Sequence, residues 1–218
     1  MVNFLSSERL LIGSMKKGNN KKPNGKAVKR LLLESGIALF AEKGYASTSV
    51  REIVEGAGVT KPVLYYYFES KEGMFHAILN WAYDQLEIML ADVLQFPGPA
   101  FDRFVYFYRH LYKGIMKNRN LFKMVHSLTF GLPQGVPPYD FDRYQRSLVN
   151  TLMAIYKEGI ERDEVKKADP EEVAMFILGL VDFCFHLDNA HPKSIDPDRP
   201  ERFLRLAFKG LGNNVIST

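Results

Sequence analysis

Between residues 48 and 71 the chain carries two short apolar stripes separated by Gly56-Ala57-Gly58-Val59, each preceded by a residue able to cap a helix. Ser49 and Glu52 have capping-box spacing, so each side chain can satisfy an amide left unpaired in the first turn. Val50, Ile53, Val54 and Ala57 then recur along one helical face. Gly58 suits the left-handed position of a tight turn. Thr60 can cap the next helix, and Pro62 is tolerated in its first turn, where no amide is needed. That helix carries Val63, Leu64, Tyr65, Tyr66, Tyr67 and Phe68, and Ser70 caps another from Lys71. Two short helices about a glycine-containing turn form the helix-turn-helix pattern, whose second helix enters the DNA major groove.

The periodicity elsewhere is helical as well. Leu32, Gly36, Leu39 and Phe40 mark one face of a helix from Lys26 to about Gly44, with small Ser35 and Gly36 open to close approach by a neighbour. Met74–Gln95 is a long amphipathic stretch stopped by Pro97-Gly98-Pro99. Further helices are expected near 100–118, 120–130, 143–164, from 170 onward and near 201–211. No convincing period-2 run or internal repeat interrupts them, so the fold class is all-α. Before residue 26, Gly, Asn and Pro lie among Lys16, Lys17, Lys21 and Lys22 with no apolar face to bury. This predicts a flexible basic arm over 1–25, with Met15 an alternative start of translation.

Charge separates these parts. Residues 1–73 hold twelve Lys/Arg against seven Asp/Glu, and the remaining residues hold seventeen against eighteen. An excess confined to the first third points to an anionic partner for that part, nucleic acid before acidic membrane. The longest apolar stretch, Val173–Leu187, contains Asp182 and is too short to cross a bilayer. The first residues lack the pattern of a secretion signal. Cys184, the single cysteine, can form neither an internal disulfide nor a thiolate metal cluster. These features predict a cytoplasmic protein.

Specific residues extend the picture. Phe40-Ala41-Glu42-Lys43-Gly44-Tyr45, Thr48-Ser49-Val50-Arg51-Glu52-Ile53-Val54, Ala57-Gly58-Val59-Thr60, Leu64-Tyr65-Tyr66-Tyr67-Phe68 and Lys71-Glu72-Gly73-Met74-Phe75 follow one another with fixed spacing. This run resembles the tetracycline-repressor-like (TetR) family of bacterial transcriptional regulators, over about 45 residues of the 218. The resemblance implies an all-helical homodimer: a DNA-binding domain over 26–72, and a ligand-binding and dimerisation domain over 73–218. It implies that Thr60, Lys61 and Val63 face bases, and that Thr48, Tyr65, Tyr66, Tyr67 and Lys71 hold phosphates. Ser49 and Pro62 complete the candidate interface. Pro62 stands where the family often has glycine and Tyr67 where it often has histidine, so no operator sequence carries over. The resemblance further implies a repressor released from a near-palindromic operator by a small molecule.

A helix cannot bury three consecutive side chains on one side, so at least one hydroxyl of Tyr65–Tyr67 should be exposed to donate to phosphate. A lysine at a helix N-terminus, such as Lys61, is unfavourable unless an anion is present.

The segment 74–218 is rich in aromatics, which more often form core than pocket. Helical bundles of this size nevertheless leave apolar cavities, and Phe104, Phe107, Phe122, Phe130 and Phe176 are the candidate lining, with His126 and Asp182 as polar anchors. Val173–Leu187 is apolar nearly all round and must bury two faces: against the bundle, and against a copy across a twofold axis at Gly179. A central helix of a monomer is the alternative. Asp182 and His186, four apart, read as a helix-surface pair rather than metal ligands. No nucleophile–base constellation, P-loop or dinucleotide fingerprint accompanies His110 and His126, so neither catalysis nor a cofactor or metal is expected. The rival reading is a helical small-molecule-binding protein or enzyme without DNA function.

Overall fold

The computed structural model describes residues 25–131, 135–190, 196 and 198–211. Of the predicted arm over 1–25, residues 1–24 lie outside the described residues and Gly25 is instead the first residue of α1; the Phe130 side chain also lies outside. Among those described, the chain forms nine helices and no strand: α1 (Gly25–Lys43), α2 (Val50–Gly56), α3 (Lys61–Phe68), α4 (Lys71–Gln95), α5 (Ala100–Lys117), α6 (Arg119–Phe130), α7 (Asp142–Glu161), α8 (Pro170–Ala190) and α9 (Arg199–Leu211). No described helix is long and apolar enough to cross a membrane.

The helices fall into two compact units. The first comprises the chain to Ala82 together with 117–139, and the second comprises 83–116 with the chain from Asp140 onward. The functional boundary expected at residue 72 is not where compactness divides the chain. The first unit takes the opening half of α4, and α6 packs on α1.

In the first unit, Leu32, Gly36, Ile37 and Phe40 form the buried face of α1. Ile37 takes the place the periodicity assigned to Leu39, a rotation of the stripe by part of a turn. Gly36 meets α4, since a Cβ there would stand 2.4 Å from Met74 Cε. Ser35 receives α2: its hydroxyl donates to the Ile53 carbonyl at 2.9 Å. Phe40, Tyr45 and Phe75 close the core, with ring centroids 4.8 to 5.7 Å apart. Gly73 lies so near the end of α3 that a Cβ would fall 2.1 Å from the Phe68 carbonyl oxygen.

The second unit packs α5, α7, α8 and α9 with the closing half of α4. Phe104, Phe107, Tyr108, Leu152, Ile155 and Ile177 are among the side chains at its centre. Arg103 is buried there and its charge is matched. Nη1 donates to Glu158 Oε2 at 2.6 Å, and Nη2 donates to the Leu94 carbonyl at 2.9 Å, tying the end of α4 to α5 and α7.

The capping box of α2 forms as its spacing predicts. Glu52 Oε2 accepts from the Ser49 amide and hydroxyl, both at 2.8 Å, and Ser49 Oγ accepts from the Glu52 amide. Lys43 donates to the other carboxylate oxygen. The Lys43 bond and then the Ser49 bonds hold the Glu52 carboxyl down at about 2. A carboxyl with a lowered folded-state pKa stabilises above its unfolded value and loses that contribution as pH falls toward the folded one. The urea midpoint of the parent should therefore exceed that of Glu52→Gln at pH 7. The difference should shrink between about pH 4.5 and 2, and a gap independent of pH would remove the carboxylate from the account.

Candidate nucleic-acid interface

Backbone geometry sets the angle between α2 and α3. Ala57 donates to the Ile53 carbonyl at 3.0 Å and Val59 to the Val54 carbonyl at 2.9 Å. Gly58 sits at φ +66, the left-handed conformation the sequence reserves for glycine. Thr60 follows in extended conformation as N-cap of α3. Its carbonyl accepts from the Val63 amide at 3.0 Å, while its side chain makes no capping bond. Leu64 and Phe68, four residues apart, are buried and anchor the helix.

The opposite side of α3 is open. Thr60, Lys61 and Pro62 are exposed at its leading end. Tyr65 is 47% exposed and Tyr66 82% exposed. Aromatic rings left so far in water on a helix that otherwise buries its apolar residues present their hydroxyls outward. Tyr67 is half-buried. Its ring meets that of Tyr66 edge-on at 5.0 Å, and its hydroxyl lies beside the first residue of α1, 2.9 Å from where a Gly25 Cβ would stand. Val63 is half-buried, and Ser49 is exposed at the start of α2.

Two residues expected at phosphates are used differently. Thr48 is only 2% exposed, and its hydroxyl donates to the Gly44 carbonyl at 2.7 Å. It has no surface to offer a phosphate. The hydroxyl closes the turn after α1, and this corrects the expectation for that residue. Lys71 donates to the carbonyls of Tyr45 at 2.9 Å and Thr48 at 2.8 Å, with its ammonium 4.0 Å from the Tyr45 ring centroid. Burial pushes its pKa below the ordinary lysine value. Two of its three protons thus hold the loop before α2, leaving one for an external anion. Tyr45, which supplies both a carbonyl and a ring to this clamp, was missed as a positioning residue. Its role depends on a contact 26 positions along the chain, which no local pattern encodes.

The candidate ligand residues divide between the two units. On α6, Phe122 and His126 are half-buried, with ring centroids 5.6 Å apart. In the second unit, Phe104 and Phe107 are wholly buried, and Phe104 packs against Phe208 of α9. Asp182 and His186 face each other on the surface of α8 at 3.5 Å. Phe176 is 50% exposed on α8, on the face turned away from the unit's core, and not enclosed as Phe104 and Phe107 are.

The residues that build this helix pair are those that match a known family. Residues 32–78 match the profile described as bacterial regulatory proteins, tetR family. Over these residues the chain is similar to the tetR family. Among curated TetR-type relatives, it is 26% identical over 162 residues to the HTH-type transcriptional regulator YuxN of Bacillus subtilis (strain 168), an alignment covering 71% of this chain and 53% of that protein. To YhgD, an HTH-type transcriptional regulator of the same organism, it is 25% identical over 195 residues, covering 85% of this chain and 97% of the other. The chain thus spans about half the length of the first relative and nearly all of the second. The fold is shared with a solved gamma-butyrolactone receptor (ArpA-like protein), at a TM-score of 0.68 and 19% identity over 88% of this chain and 92% of that one.

Proposed function

We propose that this TetR-like chain is a cytoplasmic, non-enzymatic transcriptional regulator that binds operator DNA as a homodimer and releases it when a small molecule binds. The observation that carries this reading is the split character of α3. Leu64 and Phe68 lock it to the unit, while Thr60, Lys61, Pro62, Tyr65 and Tyr66 stand in solvent. Thr60, Lys61 and Val63 are assigned to base edges, and the hydroxyls of Tyr65, Tyr66 and Tyr67 to phosphates, with Ser49, Pro62 and the remaining Lys71 proton at the margin. A base-edge contact is worth about 1–3 kcal/mol and a hydroxyl hydrogen bond about 1 kcal/mol.

Release follows from α4. It is one unbroken helix from Lys71 to Gln95, whose opening half belongs to the helix-turn-helix unit and whose closing half belongs to the other. Its first residue clamps the loop before α2. A ligand that favours a displaced α4 would carry α2 and α3 with it and alter the separation of two recognition helices, which successive major grooves require to be about 34–36 Å. Linkage makes the coupling reciprocal, so operator weakens ligand binding by the same factor. Phe104, Phe107, Phe122, Phe130, His126 and Asp182 remain the proposed ligand residues.

Anisotropy titration of labelled duplex DNA from the region beside the gene tests the reading. Lys61→Ala should lower affinity about tenfold and Tyr66→Phe about fivefold, both with unchanged helical circular dichroism. Parent-like affinity in both variants, or no complex with the parent at low salt, would favour a helical ligand-binding protein or enzyme without DNA function.

A further inference from the structure

We propose that the Tyr108 hydroxyl is the polar anchor of the small-molecule site, and that the ligand is an uncharged, largely apolar molecule presenting one hydrogen-bond acceptor, such as a carbonyl oxygen. The inference rests on the ligand-released reading above and names the chemistry of its ligand. It is carried by side chains that α5 and α8 bring together inside the second unit.

Phe104, Tyr108 and Tyr112 recur at intervals of four along α5, and Val181, Cys184 and Asp188 follow one line of α8. All six are buried. The Tyr108 and Tyr112 rings stack with centroids 5.8 Å apart. Tyr112 donates to one oxygen of Asp188, and Arg199 of α9 donates to the other at 3.3 Å. One turn earlier on each helix, Tyr108 meets the Cys184 thiol. The seam is therefore polar toward Asp188 and apolar toward Phe104 and Val181.

Within it one polar group is left over. Tyr108 is only 1% exposed, and its hydroxyl makes no hydrogen bond of ordinary geometry among the described residues. The thiol beside it is a weak donor and a weak acceptor, a poor substitute for an oxygen. Burial first, and then Cys184, Tyr112 and Asp188, push the Tyr108 pKa far above the ordinary tyrosine value, so the hydroxyl keeps its proton and has it to donate. Folded proteins satisfy nearly all buried polar groups because an unpaired one is costly, so this exception marks a place for an outside partner.

The surroundings select that partner. An anion would meet the Asp188 carboxylate in the same seam. A cation would find both Asp188 oxygens already engaged, by Tyr112 and Arg199. A neutral carbonyl accepts the Tyr108 proton and lays its hydrocarbon against the apolar end.

Acetophenone and α-methylstyrene supply the test, since they differ in shape by little more than a carbonyl oxygen exchanged for a methylene group. Each is titrated into the full chain without DNA, followed by ligand-observed NMR. Tyr108→Phe removes only the hydroxyl and should lower the preference for acetophenone over α-methylstyrene about fivefold. Benzoate should bind the parent more weakly than acetophenone does; tighter binding overturns the uncharged class. The urea midpoint of Tyr108→Phe should equal or exceed the parent's, whereas a lower one would show the hydroxyl already bonded within the fold and overturn the anchor. An unchanged preference, or no acetophenone binding by a parent that still binds DNA, overturns the anchor and leaves the DNA reading standing. A preference that falls as expected, with DNA affinity indifferent to acetophenone, upholds the anchor and overturns ligand-driven release.

Discussion

Glutamate placed at both Phe176 and Phe183 is expected to give a folded monomer that has lost most of its hold on DNA. The two rings are 50% and 53% exposed on α8, beside Met175 and Gly179. Residues 176, 179 and 183 recur at helical spacing along one line, opposite the buried line of Val173, Ile177, Val181 and Cys184. A Cβ added at Gly179 would meet nothing within 4 Å, so the backbone there is open to close approach. Exposing an apolar stripe of this kind to water is costly, and in the proposed homodimer the twofold-related copy of the same stripe would cover it.

Glutamates opposed across that axis would repel and forfeit their burial. Each recognition helix would then bind alone, and the loss of bivalency alone lowers apparent affinity by about 10² to 10⁴. Sedimentation velocity should show half the parent's mass, with intact circular dichroism. A variant that stays dimeric and binds DNA as the parent does would place the interface elsewhere.

Asp188→Ala should strongly destabilise the second unit. The carboxylate is only 2% exposed near the end of α8. Tyr112 of α5 donates to one of its oxygens, and Arg199, the first residue of α9, lies 3.3 Å from the other. One side chain thus joins three helices. Removing it takes the counter-ion from Arg199 and the acceptor from a buried tyrosine, while leaving a void between them. Loss of one partner from a buried charged pair costs about 3–5 kcal/mol. Because the Arg199 side chain retains some contact with water, about 3 kcal/mol is the appropriate end of that range. Urea unfolding followed by circular dichroism measures it. Asp188→Asn should cost less, since an amide keeps the shape and one acceptor. Equal midpoints for parent and Asp188→Ala would show that α9 is held without this carboxylate.

Local patterns were enough wherever one residue's conformation decides the matter. Ser49 and Glu52 are three apart, and any helix starting there brings their side chains to each other's amides. Gly58 adopts the positive φ its neighbours would find costly. The three consecutive tyrosines cannot share a face, and Tyr66 is indeed the most exposed of the large apolar side chains of α3. The apolar girth of Val173–Leu187 announced two buried faces, of which the folded chain supplies one.

Other assignments failed or went unseen because they depend on partners distant in sequence. Thr48 and Lys71 are the polar and basic residues one would offer to a phosphate. Whether they face water depends on the path of the loop after α1, and that path turns them onto carbonyls of Gly44, Tyr45 and Thr48. Phe176 and Phe104 are indistinguishable as aromatic residues on apolar helices, yet one is half in solvent and the other fully enclosed. Hydrophobicity states that a side chain prefers burial, but not which neighbour buries it.

By itself the sequence determined the helical class, the placement of the helix-turn-helix, its caps and its turn, because those follow from periodicity and from backbone preferences acting over four or five residues. The tertiary structure alone decided which polar side chains remain free, where α6 packs, and that Asp188 joins three helices. Those outcomes are set by contacts between segments far apart in the chain, where the geometry of packing and not residue type selects the partner.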